Sequence, residues 1–253
     1  MQQFYAAPVA YLSPRDCNRL SSLDNSLRRN IFLIVAFDLE GTLVDAELFP
    51  ALGECTGRKP ELDDITDRAM RGELDFRASL DMRIRLIRDM SIETARMVAE
   101  SLPLSHGAEE TVSRIKQLGG TPIIITGGFD ILADRVAYLL GVEYVCSNRF
   151  KVKDGCITGV IDPVVTAKGK AEKLLGLAGW LGINPSRCVA VGDGANDIQM
   201  MRAAGLSIAY NGREKVRHAA KVSVKGDDLR LILPYIEEFA VKAEHELLVS
   251  QIG

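Results

Sequence analysis

The chain has no long apolar run, no paired cysteine motif and no group of neighbouring histidines, and each lack excludes a class of function. No stretch approaches the roughly 20 apolar residues that a membrane-crossing helix needs, so no membrane role is expected. The five cysteines, Cys17, Cys55, Cys146, Cys156 and Cys188, are odd in number, widely spread and without a C-x-x-C pair. They fit reduced thiols in a cytoplasmic protein better than a disulfide frame or a zinc site. His106, His218 and His245 are too scattered for a histidine-based metal centre. Positive charge is not in excess either: the formal net charge is −3, which argues against nucleic acid or an anionic membrane as partner. The first thirty residues lack the apolar segment of a secretory signal. No internal repeat or low-complexity segment is present.

What the chain does have is an ordinary globular composition, 47% hydrophobic and 26% charged over 253 residues, enough for one large domain or two small ones. Residues 1–30 carry Pro8, Pro14 and a polar stretch at 21–26, and read as a poorly ordered extension with a short helix near 15–28. The apolar run 31–36 reads as a buried strand. Residues 46–104 show helical periodicity and no convincing strand. From Gly107 onward helices near 109–118, 129–140, 168–181, 196–204 and 229–248 alternate with strands near 121–125, 144–146, 188–191, 206–209 and 222–224. Asp154-Gly155 reads as the turn of a hairpin. This pattern predicts an α/β fold: a Rossmann-like, mainly parallel sheet with helices on both faces and a helical cap inserted after the first strand. The core is assigned to 31–45 and 105–245, and the cap to 46–104.

Four clusters fall at strand ends or helix starts along one sheet edge, where ligands of open α/β sheets bind. Phe37-Asp38-Leu39-Glu40-Gly41-Thr42 follows the first strand. An aspartate there can attack phosphorus and a carboxylate two residues on can handle the proton, although a strand-end aspartate also simply caps loops. Ile125-Thr126-Gly127-Gly128 follows the second strand and offers a hydroxyl and backbone N–H groups to an anion, or makes a plain tight turn. Lys168 opens a helix, an unfavourable place for a cation, and is read either as the neighbour of an anion or as a solvated side chain. Val191-Gly192-Asp193-Gly194-Ala195-Asn196-Asp197 sets two carboxylates and an amide between a buried strand and a helix. Such oxygen ligands suit Mg²⁺.

The order and chemistry of these clusters resemble the haloacid dehalogenase-like phosphohydrolases. Further stretches look like their phosphoserine phosphatase branch: Ala69-Met70-Arg71-Gly72-Glu73-Leu74-Asp75-Phe76, Ser79-Leu80-Asp81-Met82-Arg83, Gly107-Ala108-Glu109-Glu110-Thr111 and Asn148-Arg149-Phe150-Lys151-Val152-Lys153-Asp154-Gly155. The resemblance spans about 31–240 and implies hydrolysis of phosphoserine, a step of serine biosynthesis, with Mg²⁺ as cofactor. It implies Asp38 as nucleophile, Glu40 as acid and base, and Lys168 as the cation beside the nucleophile. Thr126, Gly127 and Asn196 would hold phosphate. Asp38, the carbonyl of Glu40 and Asp193 would hold the metal, with Asp197 acting through water. Glu47 and Arg83 would read the amino and carboxylate groups, with Met70 and Phe76 beside them.

Arg83 also stands out by position. On a helix over 76–90 with Leu80 at zero, Phe76, Ile84, Ile87 and Met90 form an apolar arc and Arg83 falls inside it at about −60°. A charge on a buried stripe needs a partner: an internal carboxylate or a substrate's.

Two positions depart from the branch, which usually carries Asp in place of Glu40 and Ser in place of Thr126. Threonine keeps the hydroxyl. Glutamate adds a methylene, and a Leu-Glu-Gly motif also occurs in a relative that transfers phosphate from phosphoserine to homoserine. Phosphotransfer to an alcohol therefore stands as an alternative to hydrolysis, beside a broader small-metabolite phosphatase and a phosphometabolite-binding sensor without activity.

Overall fold

The structure is a computed structural model that describes residues 10–11 and 32–252, the side chains of 10–11, 70 and 246–252 excepted. Ala10–Tyr11 forms a two-residue strand, β1, paired in parallel with Tyr144 and Val145. The rest of the extension expected at 1–30, with its helix near 15–28, lies outside the described residues. β2 (Leu33–Phe37) is apolar and buried at every position, as befits a strand covered on both faces. Four helices follow, α1 (Leu48–Thr56), α2 (Lys59–Met70), α3 (Phe76–Leu86) and α4 (Ile92–Ser101), and then α5 (Ala108–Gln117). The remaining elements alternate: β3 (Gly120–Phe129), α6 (Asp130–Leu140), β4 (Tyr144–Asn148), the hairpin β5 (Phe150–Lys153) and β6 (Cys156–Val160), α7 (Ala167–Leu181), β7 (Cys188–Gly192), α8 (Ile198–Ala203), β8 (Leu206–Tyr210), α9 (Glu214–Ala219), β9 (Val222–Val224) and α10 (Leu233–Ile252).

The main sheet has the order β1-β4-β3-β2-β7-β8-β9 with all neighbours parallel. Alternation along β2 divides the core between its faces. Leu33, Val35 and Phe37 pack with residues of α5, α6 and the inserted helices, while Ile34 and Ala36 pack with α7 and α8. The chain builds β3 and β4 on one side of β2 and β7, β8 and β9 on the other. The carboxyl end of β2 is therefore the switch point where a crevice opens. Among the described residues no helix is long and apolar enough to cross a membrane.

Some boundaries differ from those the sequence suggests. β3 continues to Phe129, with a bulge between Ile125 and Phe129, so Thr126 and Gly127 lie in the strand's irregular end and not at the start of α6. α3 stops at Leu86, short of the periodicity that reaches 90, because Asp89 takes a left-handed φ of 67°. The segment then pairs with the hairpin: Asp89 N–H donates to Ile157 O and Ile157 N–H to Met90 O, both at 2.9 Å. The helix expected over 196–204 divides into a 3₁₀ turn at Ala195–Asp197 and α8. α9 carries no strong apolar signature, yet two parallel strands need a crossover between them.

Candidate active site

β2 delivers Asp38 to the crevice, and its backbone N–H donates to Val191 O of β7 at 2.9 Å, fixing the loop to the neighbouring strand. The turn after it tightens through Leu43 and Val44 N–H groups, which donate to Leu39 O at 2.8 and 2.9 Å. Gly41 is required twice over. Its φ is +75°, and a Cβ there would stand 2.7–2.9 Å from the Asp193 carboxylate. Only a residue without a side chain lets this turn pass beside Asp193.

The charged centre lies beneath. Lys170, fully buried at 0% exposure, places Nζ 2.6 Å from Asp38 Oδ1 and 2.6 Å from Asp197 Oδ1. The other oxygen of Asp197 accepts from Gly194 N–H at 3.1 Å. One oxygen each of Asp38, Asp193 and Asp197 lie within 4.8 Å of one another. Burial works against a charged Lys170, but the two carboxylates outweigh it and hold the ammonium above its usual range. Asp197 is pushed up to about 6 by burial and then by Asp38, with Lys170 opposing. Asp193 is raised further by burial and by the charges of Asp38 and Asp197. Three carboxylates facing one ammonium are short of positive charge, and Asp193 Oδ1 is buried with no partner among the described residues. This hard-oxygen donor set fits a divalent cation.

Above the acidic floor a cavity is lined by Asp38, Glu40, Thr126, Gly127, Gly128 and Asn196 on one side. Glu47, Phe49, Thr66, Ala69, Phe76 and Arg83 line the other. Thr126 Oγ1 accepts from Gly128 N–H at 2.8 Å, and Asn196 Oδ1 is buried with no partner among the described residues. Glu40 Oε1 accepts from the N–H of Leu48, the first residue of α1, at 2.6 Å. Its pKa is raised, chiefly by burial, with Asp38 adding and the Leu48 N–H and Arg83 opposing. Glu47 is pushed up to about 8 by burial and then by Glu40, against the pull of Arg83. Arg83 donates from Nε to Ser79 O at 3.3 Å and stands over the Phe49 ring, 4.6 Å from its centroid. Among the described residues it makes no ion pair, so its terminal nitrogens have no carboxylate of their own.

A family model described as haloacid dehalogenase-like hydrolase matches residues 32–205. The chain belongs to that family. Its relatives include a phosphoserine phosphatase of Methanocaldococcus jannaschii, 38% identical across 81% of this chain and 97% of the relative. Another, from Albidiferax ferrireducens, is 36% identical across 82% of this chain and 90% of its own. A solved structure described as a phospho-aspartyl intermediate analogue of phosphoserine phosphatase superposes with a TM-score of 0.78 at 38% identity, covering 81% of this chain and 98% of that one. A substrate-bound phosphoserine phosphatase complex gives a TM-score of 0.78 at 37% identity, over 81% and 98% of the two chains.

In this haloacid dehalogenase-like hydrolase one expected residue is misplaced. Lys168 is not beside Asp38. Its side chain is 79% exposed and pairs with Glu172 at 3.3 Å. The lysine on Asp38 is Lys170. The cause is the helix start: Thr166 caps α7 by accepting from Gly169 N–H at 3.1 Å. That sets Lys170 on the buried stripe with Leu174, Leu177, Ala178 and Leu181, and Lys168 about 160° away. The wheel that singles out Arg83 would have selected Lys170 as well.

The structure gathers Asp38, Glu40, Glu47, Phe76, Arg83, Thr126, Gly127 and Asn196 around one cavity, and brings Asp193 and Asp197 beside Asp38. The side chain of Met70, which ends α2, is outside those described. Sequence reasoning missed Phe49 and Thr66 as well as Lys170. A Cβ on Gly128 would lie 2.4 Å from Glu40 Oε2, so the longer acid of this chain uses the space that glycine leaves.

Proposed function

We propose that the chain hydrolyses O-phosphoserine to serine and phosphate, with Mg²⁺ as cofactor and Asp38 as the covalent carrier. The observation that carries the substrate is the unpaired Arg83 guanidinium in the same cavity as Asp38. One end of the cavity suits a phosphate and the other an amino acid. In this reading residues 46–104 are a cap over a core of 31–45 and 105–245.

Lys170 holds Asp38 Oδ1, leaving Oδ2 to attack. The Asp38 O–P bond forms as the P–O bond to serine breaks, and Glu40 gives its proton to the departing oxygen. Glu40 then takes a proton from water, which attacks phosphorus and returns Asp38 as a carboxylate. Thr126, the Gly127 N–H and Asn196 hold the phosphate oxygens in place. Asp38, the Glu40 carbonyl and Asp193, with Asp197 behind them, would hold Mg²⁺, which would supply the positive charge that lets a phosphate dianion meet a carboxylate. Arg83 takes the substrate carboxylate as a fork and Glu47 faces its ammonium.

Phosphoserine and phosphoethanolamine differ by that carboxylate. With Mg²⁺ present, phosphoserine is expected to be turned over at least ~10²-fold more efficiently in kcat/KM, the scale for leaving a polar pocket group unsatisfied. Arg83→Lys should erase most of the preference while sparing p-nitrophenyl phosphate, because lysine cannot reproduce the fork. EDTA should stop all three reactions. Equal efficiency on the two natural-type esters would remove the amino-acid assignment. Phosphohomoserine formed at the expense of free phosphate, when homoserine is added, would make the enzyme a phosphotransferase.

A further inference from the structure

Thr66 is buried at 6% exposure on α2 and lines the same cavity as Asp38 and Arg83. Its hydroxyl has no hydrogen-bond partner among the described residues. That is unusual for a helical threonine, whose Oγ–H commonly donates to the carbonyl a turn before it. A buried hydroxyl without a partner carries a penalty, and here the unused donor borders the cavity that holds Arg83.

The placement follows from the sequence of α2. With Leu62 at zero on a helical wheel, Ile65, Thr66 and Ala69 fall at about −60°, +40° and −20°, one face of the helix. Asp67 falls on the opposite side, where it accepts from Arg213 Nη2 at 2.7 Å. Arg213 belongs to the loop after β8, and its backbone N–H donates to Asp193 O at 3.3 Å. The helix is thus tied to the loop of the acidic floor at the residue next to Thr66.

Building on the phosphoserine reading, the geometry points to Thr66 as a specificity-determining residue whose hydroxyl donates to the substrate's α-carboxylate beside Arg83. The count of donors supports this. A carboxylate has about four acceptor positions. Arg83 has Nε engaged with Ser79 O, so its terminal nitrogens fill two of them. The ammonium has Glu47 as its acceptor. The carboxylate is left needing a donor, and Thr66 is an uncommitted donor in the same cavity.

The test compares Thr66→Val and Thr66→Ser on phosphoserine, phosphoethanolamine and p-nitrophenyl phosphate, with a thermal melt of each variant. Valine keeps the shape and removes the hydroxyl. Thr66→Val should lose about tenfold or more in kcat/KM on phosphoserine, mostly through KM, as expected for a hydrogen bond to a charged group. It should change little on the two esters that lack a carboxylate, and its melting temperature should hold or rise. Thr66→Ser should keep the preference. If the wild type prefers phosphoserine and Thr66→Val keeps that preference, the Thr66 assignment falls alone. Equal losses on phosphoserine and phosphoethanolamine also overturn it. A wild type with no preference overturns the phosphoserine reading instead.

Discussion

Lys170→Met is expected to cost at least about a thousandfold in kcat, the upper range for removing one preorganised electrostatic group, while Lys168→Met changes turnover by less than about twofold. The two lysines are one helical turn apart at most, yet their environments differ completely. Lys170 bridges Asp38 and Asp197 at 2.6 Å each. Without it, two buried carboxylates face each other, and breaking such a pair costs about 3–5 kcal/mol. The melting temperature of Lys170→Met should therefore fall, and a melt in the presence of Mg²⁺ separates lost chemistry from lost fold. Lys168 has an exposed partner in Glu172, a contact worth about 0.3–0.5 kcal/mol. Activity retained by Lys170→Met in a folded protein would remove the lysine from the mechanism.

Glu40 is the second position where a large effect is expected. Its carboxylate is held by the Leu48 N–H at 2.6 Å and occupies room that Gly128 leaves. The glutamate is therefore built into the site. Glu40→Gln should lose ~10²-fold or more in phosphoserine turnover, the scale of general acid–base catalysis. Nitrophenolate leaves without a proton, so the burst of nitrophenol from p-nitrophenyl phosphate should survive, followed by slow release of phosphate. Glu40→Asp should also lose activity, because the shorter arm cannot both reach the reacting oxygen and keep the Leu48 bond. Stopped-flow nitrophenol release alongside steady-state phosphate release separates the two steps. A several-fold gain in Glu40→Asp would mean that the natural glutamate detunes the enzyme.

Much of this site is legible in the amino-acid sequence. The run Leu33–Phe37 has no polar break, so its burial on both faces and its position inside a parallel sheet follow from composition alone. Asp38 and Asp193 were legible because each ends such a strand. Arg83 was legible because it interrupts an apolar helical face. Lys170 carries the same kind of signal, since it shares a helical face with Leu174, Leu177 and Leu181, but the unfavourable place of Lys168 at the helix start masks it. Thr66 was missed for a different reason. A threonine on an apolar face reads as core, and only the structure shows that its hydroxyl has no partner among the described residues. Glycine at 128 carries no signal of what fills its missing side chain. α9 was obscured because its six residues bury only Val216.

The central claim is that phosphate passes through Asp38. The most direct measurement is peptide mapping by mass spectrometry of Glu40→Gln, quenched in acid after mixing with p-nitrophenyl phosphate and Mg²⁺. This variant should form the phosphoenzyme at near the wild-type rate and break it down slowly. The account predicts one phosphoryl group, on Asp38, and none in Glu40→Gln combined with Asp38→Asn, which should also release no nitrophenol. Nitrophenol released over many turnovers with Asp38 unmodified throughout, or release that persists after Asp38→Asn, would contradict it.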